Sequence, residues 1–375
     1  MKDFRSLFIG LMVLILAIDS QARQGVVSPE VHRDRRVTFR LAAPNAQKVQ
    51  LAREGAETMP MNKGSDGIWS ITTDPLEPDV YGYSFLVDGV NQFDPSNPVI
   101  KNNLLFTQSQ VYVPGPDTLP WQLNDVQHGI VHHHYYTSAV VGDKRDFYVY
   151  TPPGYDSAGK EKYPVLFLLH GFSDDASAWT AVGRAQFILD NLIAQKKGKP
   201  MIVVMPLGYG APEIVERGGP GLQDRTLRDR NYLRFREALM KEVAPQVERT
   251  YRVLAGRDAR AITGLSMGGA ESLFTGLNEL DDFAWIGAFS SGGLGDDFDN
   301  MFDNLPANAG DRLRLLWISC GTDDHLITVN RKLNIWLDSR KIRHTAVETP
   351  GGHTWMVWRR NLAAFIPLLF QDRSH

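Results

Sequence analysis

The sequence predicts two units in one chain: a small all-β sandwich, then a doubly wound α/β domain with a mostly parallel sheet. Three observations predict it. Apolar residues alternate at period two as far as about Val113. Beyond that point they gather into continuous runs such as "YPVLFLLHG" at 163–171. Stretches of helical period separate those runs, as α/β domains require. At 375 residues the chain also exceeds what one ordinary core accommodates.

The first 22 residues stand apart. Lys2 and Arg5 precede an uncharged apolar stretch from Leu7 to Ile18, and Ser20-Gln21-Ala22 offers small residues at the offsets used for cleavage. This pattern reads as a secretory signal peptide, which places the start of the mature chain near Arg23. The apolar stretch is short for a membrane-spanning helix. The expectation is therefore an exported protein, periplasmic or extracellular, with no stable membrane insertion.

Residues 23–114 carry the sandwich pattern. "VTFRL" at 37–41, "KVQLA" at 48–52, "GIWSI" at 67–71 and "YGYSFLVDG" at 81–89 alternate or carry β-formers, with Gly, Pro, Asn and Asp between them. Residues 115–127 continue a Pro- and Gly-rich stretch, "VPGPDTLPW" at 113–121, and read as a linker. The second unit is 128–375. Its runs "PMIVVMP" at 200–206 and "LRLLWISCG" at 313–321 are apolar throughout, as in parallel strands covered on both faces. Between them, "NYLRFREALMKEVAPQVERTY" at 231–251 repeats Phe235, Leu239, Val243 and Val247 every four residues, a helix with one buried face.

Composition narrows the chemistry. A net charge of −3 offers no footprint for nucleic acid or an anionic membrane. The single cysteine, Cys320, excludes an intrachain disulfide, and its place at the end of an apolar run makes it a small buried hydrophobe. "HHHYY" at 132–136, with His128 nearby, lies on a strand pattern where adjacent side chains face opposite ways, so it does not read as a metal site. No Walker loop or zinc-protease motif occurs, and no cofactor or metal is implied.

Active sites of open α/β sheets collect at the carboxyl ends of the strands. There the sequence places Gly264-Leu265-Ser266-Met267-Gly268, a Gly-x-Ser-x-Gly turn between the strand pattern "RAITG" and the helix pattern "GGAESLFTGL". The glycines relieve a crowded, strained turn that exposes the serine hydroxyl. The competing reading is a glycine-rich turn that merely packs a helix on a sheet.

A serine of this kind needs an acid and then a histidine further along the chain. Of His325, His344, His353 and His375, the best placed is His353, on the loop "PGGHTW" after a strand pattern. The acid belongs on the loop after the preceding strand, where "CGTDDHL" offers Asp323 and Asp324; periodicity does not separate them. The acidic run "GDDFDN" at 295–300 reads as a solvated loop. Two backbone N–H groups are expected to hold the oxyanion, those of Met267 and of Phe172 in "LLHGFSDDASAW". His170 precedes the serine and reads as a loop-shaping residue. Trp179 and Trp355 are the candidates for a substrate pocket, and Trp358 reads as packing beneath the last helix.

From about Gly129 to Phe370 the chain resembles the carbohydrate esterases that include bacterial feruloyl esterases, and more loosely the esterase D and enterochelin esterase group. "VYTPPGY", "LLHGFSDDASAW", "AITGLSMGG", "CGTDDHL" and "GGHTWMVW" carry the likeness. The resemblance implies an α/β-hydrolase fold and favours Asp324 as the acid. It implies hydrolysis of plant cell-wall polysaccharide esters, above all feruloyl groups on arabinoxylan, with acetyl-xylan and catecholate-siderophore esters as alternatives. An inert carbohydrate-binding protein is the reading from a different class. "APNAQKVQL", "DGIWSI", "YGYSFLVDG" and "DPSNP" give the first unit a similarity to the early-set immunoglobulin-like modules of glycogen-binding and isoamylase-type proteins. Some modules of that kind contact polysaccharide through exposed aromatics, here Trp69, Tyr81 and Tyr83; the competing reading is that these residues belong to the core.

Overall fold

Residues 30–113 pair into two antiparallel sheets, the first with strands in the order Glu30–Val31, Val37–Ala42, Ile68–Thr72, Asn62–Lys63. The second runs Met59–Pro60, Val49–Arg53, Asp79–Val87, Gln108–Val113, Ile100–Lys101, with Val90–Gln92 beside Asp79–Val87. The structure is a computed structural model and describes residues 25–116, 119–295, 297–303 and 305–372. The expected export segment and His375 lie outside the described residues.

The alternation found in the sequence selects the sandwich core: Phe39, Leu51, Tyr83, Phe85 and Val111 meet between the sheets. This decides the reading of the sandwich aromatics in favour of core over a sugar-binding face. Trp69, Tyr81 and Tyr83 are only 8%, 4% and 0% exposed. Their polar groups are also satisfied internally: Trp69 Nε1 donates to the Ala43 carbonyl, Tyr81 Oη to the Glu77 carbonyl and Tyr83 Oη to Asp94. No ring face remains for a sugar at these positions.

One strand departs from simple alternation. Asp79 to Phe85 is buried at seven successive residues. Its inner side packs in the sandwich, and its start meets the helix Trp355–Phe365 of the second unit. There the fully buried Arg359 pairs with the equally buried Asp79, Nε to Oδ1 at 2.9 Å, and also donates to the carbonyls of Val80 and Val182. The supposed linker is pinned as well. Trp121 is buried, Arg184 Nε donates to its carbonyl at 2.6 Å, and Asn191 Nδ2 donates to the carbonyls of Pro120 and Gln122. Residues 120–122 therefore serve as packing for the second unit and not as a free spacer.

The large sheet has eight strands, in spatial order Ile130–Thr137, Lys144–Thr151, Ile202–Pro206, Val165–Leu169, Arg260–Gly264, Trp285–Phe289, Leu315–Gly321 and Thr345–Thr349. The first two are antiparallel to their neighbours and the rest are parallel. Helices cover both faces, which is why the apolar runs do not alternate. Phe167 and Leu169 face one core with Leu239 and Val247; Leu166 and Leu168 face the other with Ile188 and Leu362. The stretch expected as one helix at 231–251 begins at Arg225 and widens to π geometry at Leu239–Val243 before resuming at Ala244. Pro245 has no N–H for the Lys241 carbonyl, and the wider turn accommodates that loss. Cys320 is buried, and burial pushes its thiol up to about 12. Among the described residues no helix is long and apolar enough to cross a membrane.

Replacing Asp79 by Ala strands the Arg359 guanidinium in the seam between the units. The expected loss is about 3–5 kcal/mol of stability, read as a lower urea midpoint. A loss below about 1 kcal/mol, the size typical of an exposed pair, would show that water replaces the carboxylate.

Candidate active site

Ser266 stands where the strand Arg260–Gly264 turns into the helix Met267–Asn278. Its backbone sits at φ +52° and ψ −117°, strained for any residue with a side chain. The neighbours hold it there. Its N–H donates to the Phe289 carbonyl at 2.8 Å, and its carbonyl accepts from Gly292 at 2.9 Å. The motif glycines are required by close approach. A Cβ on Gly268 would lie 2.3 Å from the His170 carbonyl oxygen, and one on Gly264 would lie 2.5 Å from that of Gly268.

His353 lies on the loop between the last strand and the helix Trp355–Phe365. Its Nε2 is 3.0 Å from Ser266 Oγ and its Nδ1 is 2.8 Å from Asp324 Oδ2. The carboxylate accepts a hydrogen bond from Nδ1–H, which leaves Nε2 unprotonated and facing the serine as an acceptor. Asp324 is buried, and burial alone would raise its pKa. The hydrogen bond and charge of His353, with the Leu326 N–H at 2.9 Å, outweigh burial and hold the carboxyl below the usual aspartate value.

Geometry separates the two acids that periodicity left equivalent. The Asp323 side chain is exposed, and its contribution is a backbone N–H to the Gly351 carbonyl, which pins the histidine loop. His325 is exposed and touches the edge of the His353 ring, while His344 stands just before the last strand, at the wrong end of a parallel sheet. In the acidic run, Asp297 caps a short helix and Asp299 takes Trp336 and Arg340. The clustered histidines disperse to Asp190, Thr151, Asp146 and Tyr251.

The two expected oxyanion donors flank the serine. Met267 opens its helix, so its N–H has no acceptor within that helix. Phe172 follows the strand Val165–Leu169 on a loop that passes close to the serine: a Cβ on Gly171 would lie 3.4 Å from Ser266 Cβ. His170 shapes that loop. Its Nε2 accepts the Gly208 N–H at 2.8 Å, so its Nδ1 carries the proton given to the Gly171 carbonyl. Burial lowers its pKa and keeps the ring neutral.

A cleft of about 160 Å³ opens over Ser266 and His353. Trp355 lines it as expected, but Trp179 does not. The Trp179 ring is buried in the core behind, its Nε1 bonded to the Leu169 carbonyl and its edge against Trp355 at 5.1 Å. Trp358 takes its place, lining the cleft with its ring 4.8 Å from that of His353. The place of Trp358 follows from helical spacing. Residues 355 and 358 share one face of their helix, and that face overhangs the histidine loop.

Three lining residues were missed by sequence reasoning: Glu54, Lys101 and Asn103, all from the sandwich. Trp355 N–H donates to Glu54 Oε1 at 2.7 Å across 301 residues of chain. Asn103 Nδ2 reaches Ser173 Oγ and Asp174 Oδ1, each at 3.0 Å. No period or motif in the sequence announces such contacts.

An eight-stranded, mostly parallel sheet, a serine on a strained strand–helix elbow and a histidine after the last strand define a protein of the α/β-hydrolase fold. The chain belongs to the Esterase family, described as "Putative esterase", which matches residues 138–369. It is 28% identical over 352 residues to the endo-1,4-beta-xylanase/feruloyl esterase of Xylanibacter ruminicola, covering 92% of this chain and 46% of that protein. The chain thus spans less than half the length of that relative. An acetyl esterase of Caldicellulosiruptor saccharolyticus is 23% identical over 236 residues, 54% of this chain and 82% of that one. The fold is shared with a ferulic acid esterase of Anaeromyces mucronatus (TM-score 0.57, 24% identity, 68% of this chain and 96% of that one). It is shared over more of the chain with the enterobactin esterase of Shigella flexneri (TM-score 0.66, 18% identity, 88% and 92%).

Asp174, a buried residue of the cleft lining, supplies a test of this geometry. Burial pushes its carboxyl up to about 7 against the opposing effects of Lys101 and Asn103. The fold therefore favours the protonated form. Its stabilisation is full below the ordinary value of 3.8 and is lost as pH rises toward about 7. Urea midpoints of wild type and Asp174→Asn should diverge in the variant's favour across that window; parallel curves would show that Asp174 is ionised at little cost.

Proposed function

We propose that this chain is a serine carboxylic-ester hydrolase with Ser266 as nucleophile, His353 as general base and then acid, and Asp324 as the residue that orients and stabilises the imidazolium. The observation that carries the reading is the unbroken relay from Asp324 Oδ2 through the His353 ring to Ser266 Oγ, at 2.8 and 3.0 Å. Ser266 Oγ attacks the ester carbonyl while His353 Nε2 takes its proton. The Phe172 and Met267 N–H groups hold the oxyanion. The proton passes to the leaving alcohol, and water activated by the same imidazole releases the acid from the acyl-enzyme.

The substrate class proposed is the esters of plant cell-wall polysaccharides, foremost feruloyl groups on arabinoxylan. Two things support it. The relative that pairs with 92% of the chain is an endo-1,4-beta-xylanase/feruloyl esterase. The cleft, too, is walled by two tryptophans against which an aromatic acyl group can lie. Export is part of the reading and rests on the residues before Arg23. N-terminal sequencing of the secreted or periplasmic protein checks it, and retention of Leu7–Ile18 would point to an anchor instead.

A fluorophosphonate probe should label the wild-type protein and leave Ser266→Ala unlabelled; an unlabelled wild type would favour an inert binding protein. Turnover of Ser266→Ala should fall on the order of 10⁶-fold. Asp324→Asn should lose roughly 10⁴-fold in kcat through the wrong His353 tautomer, and Asp323→Asn far less. A reversed order for the two aspartates would overturn the assignment. Among methyl ferulate, acetylated xylan and a catecholate triester, methyl ferulate is expected to be cleaved best.

A further inference from the structure

The sandwich reaches the catalytic cleft at Glu54 and through one short segment that begins at Lys101. The strand Ile100–Lys101 ends in a loop that folds on itself, with Asn103 Oδ1 accepting the N–H groups of Leu105 and Phe106 at 3.0 and 2.9 Å. The same loop is docked on the oxyanion side of the site. Leu104 N–H donates to the Ser173 carbonyl at 2.7 Å, and the Asn103 amide bonds Ser173 and Asp174. A loop built and docked in this way has a fixed position relative to Ser266.

What the loop brings is unusual for an inter-unit contact. Lys101 is largely withdrawn from solvent, its ammonium 3.2 Å from Gln108 Oε1 and 3.8 Å from Glu54 Oε2, and it lines the cleft together with Asp174. An ammonium has three donors. One goes to Gln108 and one turns toward Glu54, which leaves donor capacity for a guest. Withdrawing these charges from water is expensive, and an apolar contact would join the two units at less cost. Beyond Asn103 the loop turns Leu104 and Phe106 to solvent, at 51% and 62% exposure, and Leu104 is bonded through its N–H to Ser173, a residue of the cleft lining.

We propose that the segment 101–106 is a specificity element of the active site, in which Lys101 donates a charge-assisted hydrogen bond to an oxygen of the ester substrate and Leu104 and Phe106 support its apolar surface. This rests on the esterase reading given above. The oxygen belongs either to the substituted ring of an aromatic acyl group or to a hydroxyl of the sugar it esterifies. Both are acceptors, and both suit a lysine held at a cleft wall.

The test compares wild type with Lys101→Met and Lys101→Arg on four esters: methyl ferulate, methyl cinnamate, a feruloylated arabinose oligosaccharide and 4-nitrophenyl acetate. In Lys101→Met, kcat/KM on at least one oxygen-bearing ester should fall about 10- to 100-fold relative to 4-nitrophenyl acetate, mainly through KM. Lys101→Arg should recover part of it. A loss on methyl ferulate relative to methyl cinnamate assigns the oxygen to the ring. A loss on the oligosaccharide relative to methyl ferulate assigns it to the sugar. Equal losses on all four esters, or no loss on any, overturn the proposal. Fluorophosphonate labelling of Ser266 in each variant keeps the two readings apart: an unlabelled wild type defeats the esterase reading, whereas labelled variants with unshifted selectivity defeat only this one.

Discussion

A seam of buried charge along the helix Trp355–Phe365 joins the two units, and the cleft depends on it. Glu54 receives the first N–H of that helix and also the Gly82 N–H. A carboxylate at a helix N-terminus is favoured by the helix dipole. Although burial works to raise its pKa, Lys101, Arg359 and the two backbone bonds hold Glu54 in its charged form. One turn further along, Arg359 is locked to Asp79. The helix begins two residues after His353, so the sandwich fixes the frame from which the histidine loop hangs. Such a seam tolerates no half-measures, because a buried ion that loses its partner costs several kcal/mol.

The second constraint is steric. The serine elbow is squeezed between the loop that carries Phe172 and its own helix so tightly that a Cβ on Gly268 would collide with the His170 carbonyl. The strain at Ser266 is maintained by bonds to Phe289 and Gly292 on the neighbouring strand and loop. His170 closes the circuit by bonding both Gly208 and Gly171. Ser266 and the proposed oxyanion donors are thus positioned by one packed unit of backbone. Preorganisation of this kind is what makes backbone donors effective against developing charge.

These two constraints divide the site by function. The relay and the proposed oxyanion donors come wholly from the α/β unit, whose motifs are local in sequence. The cleft walls come from both units, with Trp355 and Trp358 on one side and Lys101 and Asn103 on the other. The relay thus rests on one unit, whereas the wall of the cleft is completed only where the two units meet.

By itself the sequence determined the α/β sheet, the elbow and the histidine, because each rests on short-range physics. Continuous apolar runs mean strands covered on both faces, glycines two residues either side of a serine mean a crowded turn, and chain order places the base after the last strand. Tertiary structure decided what depends on contacts across long stretches of chain. It chose Asp324 over Asp323, since only one of two adjacent side chains can turn inward to the histidine. It buried Trp69, Tyr81 and Tyr83, where the sequence pattern alone had left a surface reading open beside the core one. It moved Trp179 into the core and brought Trp358 to the cleft. Above all it set Glu54 against Trp355, 301 residues away, and Asn103 against Asp174. A polar residue in a surface-like pattern carries no mark of the partner it will meet, and only the packing of one unit on the other supplies it.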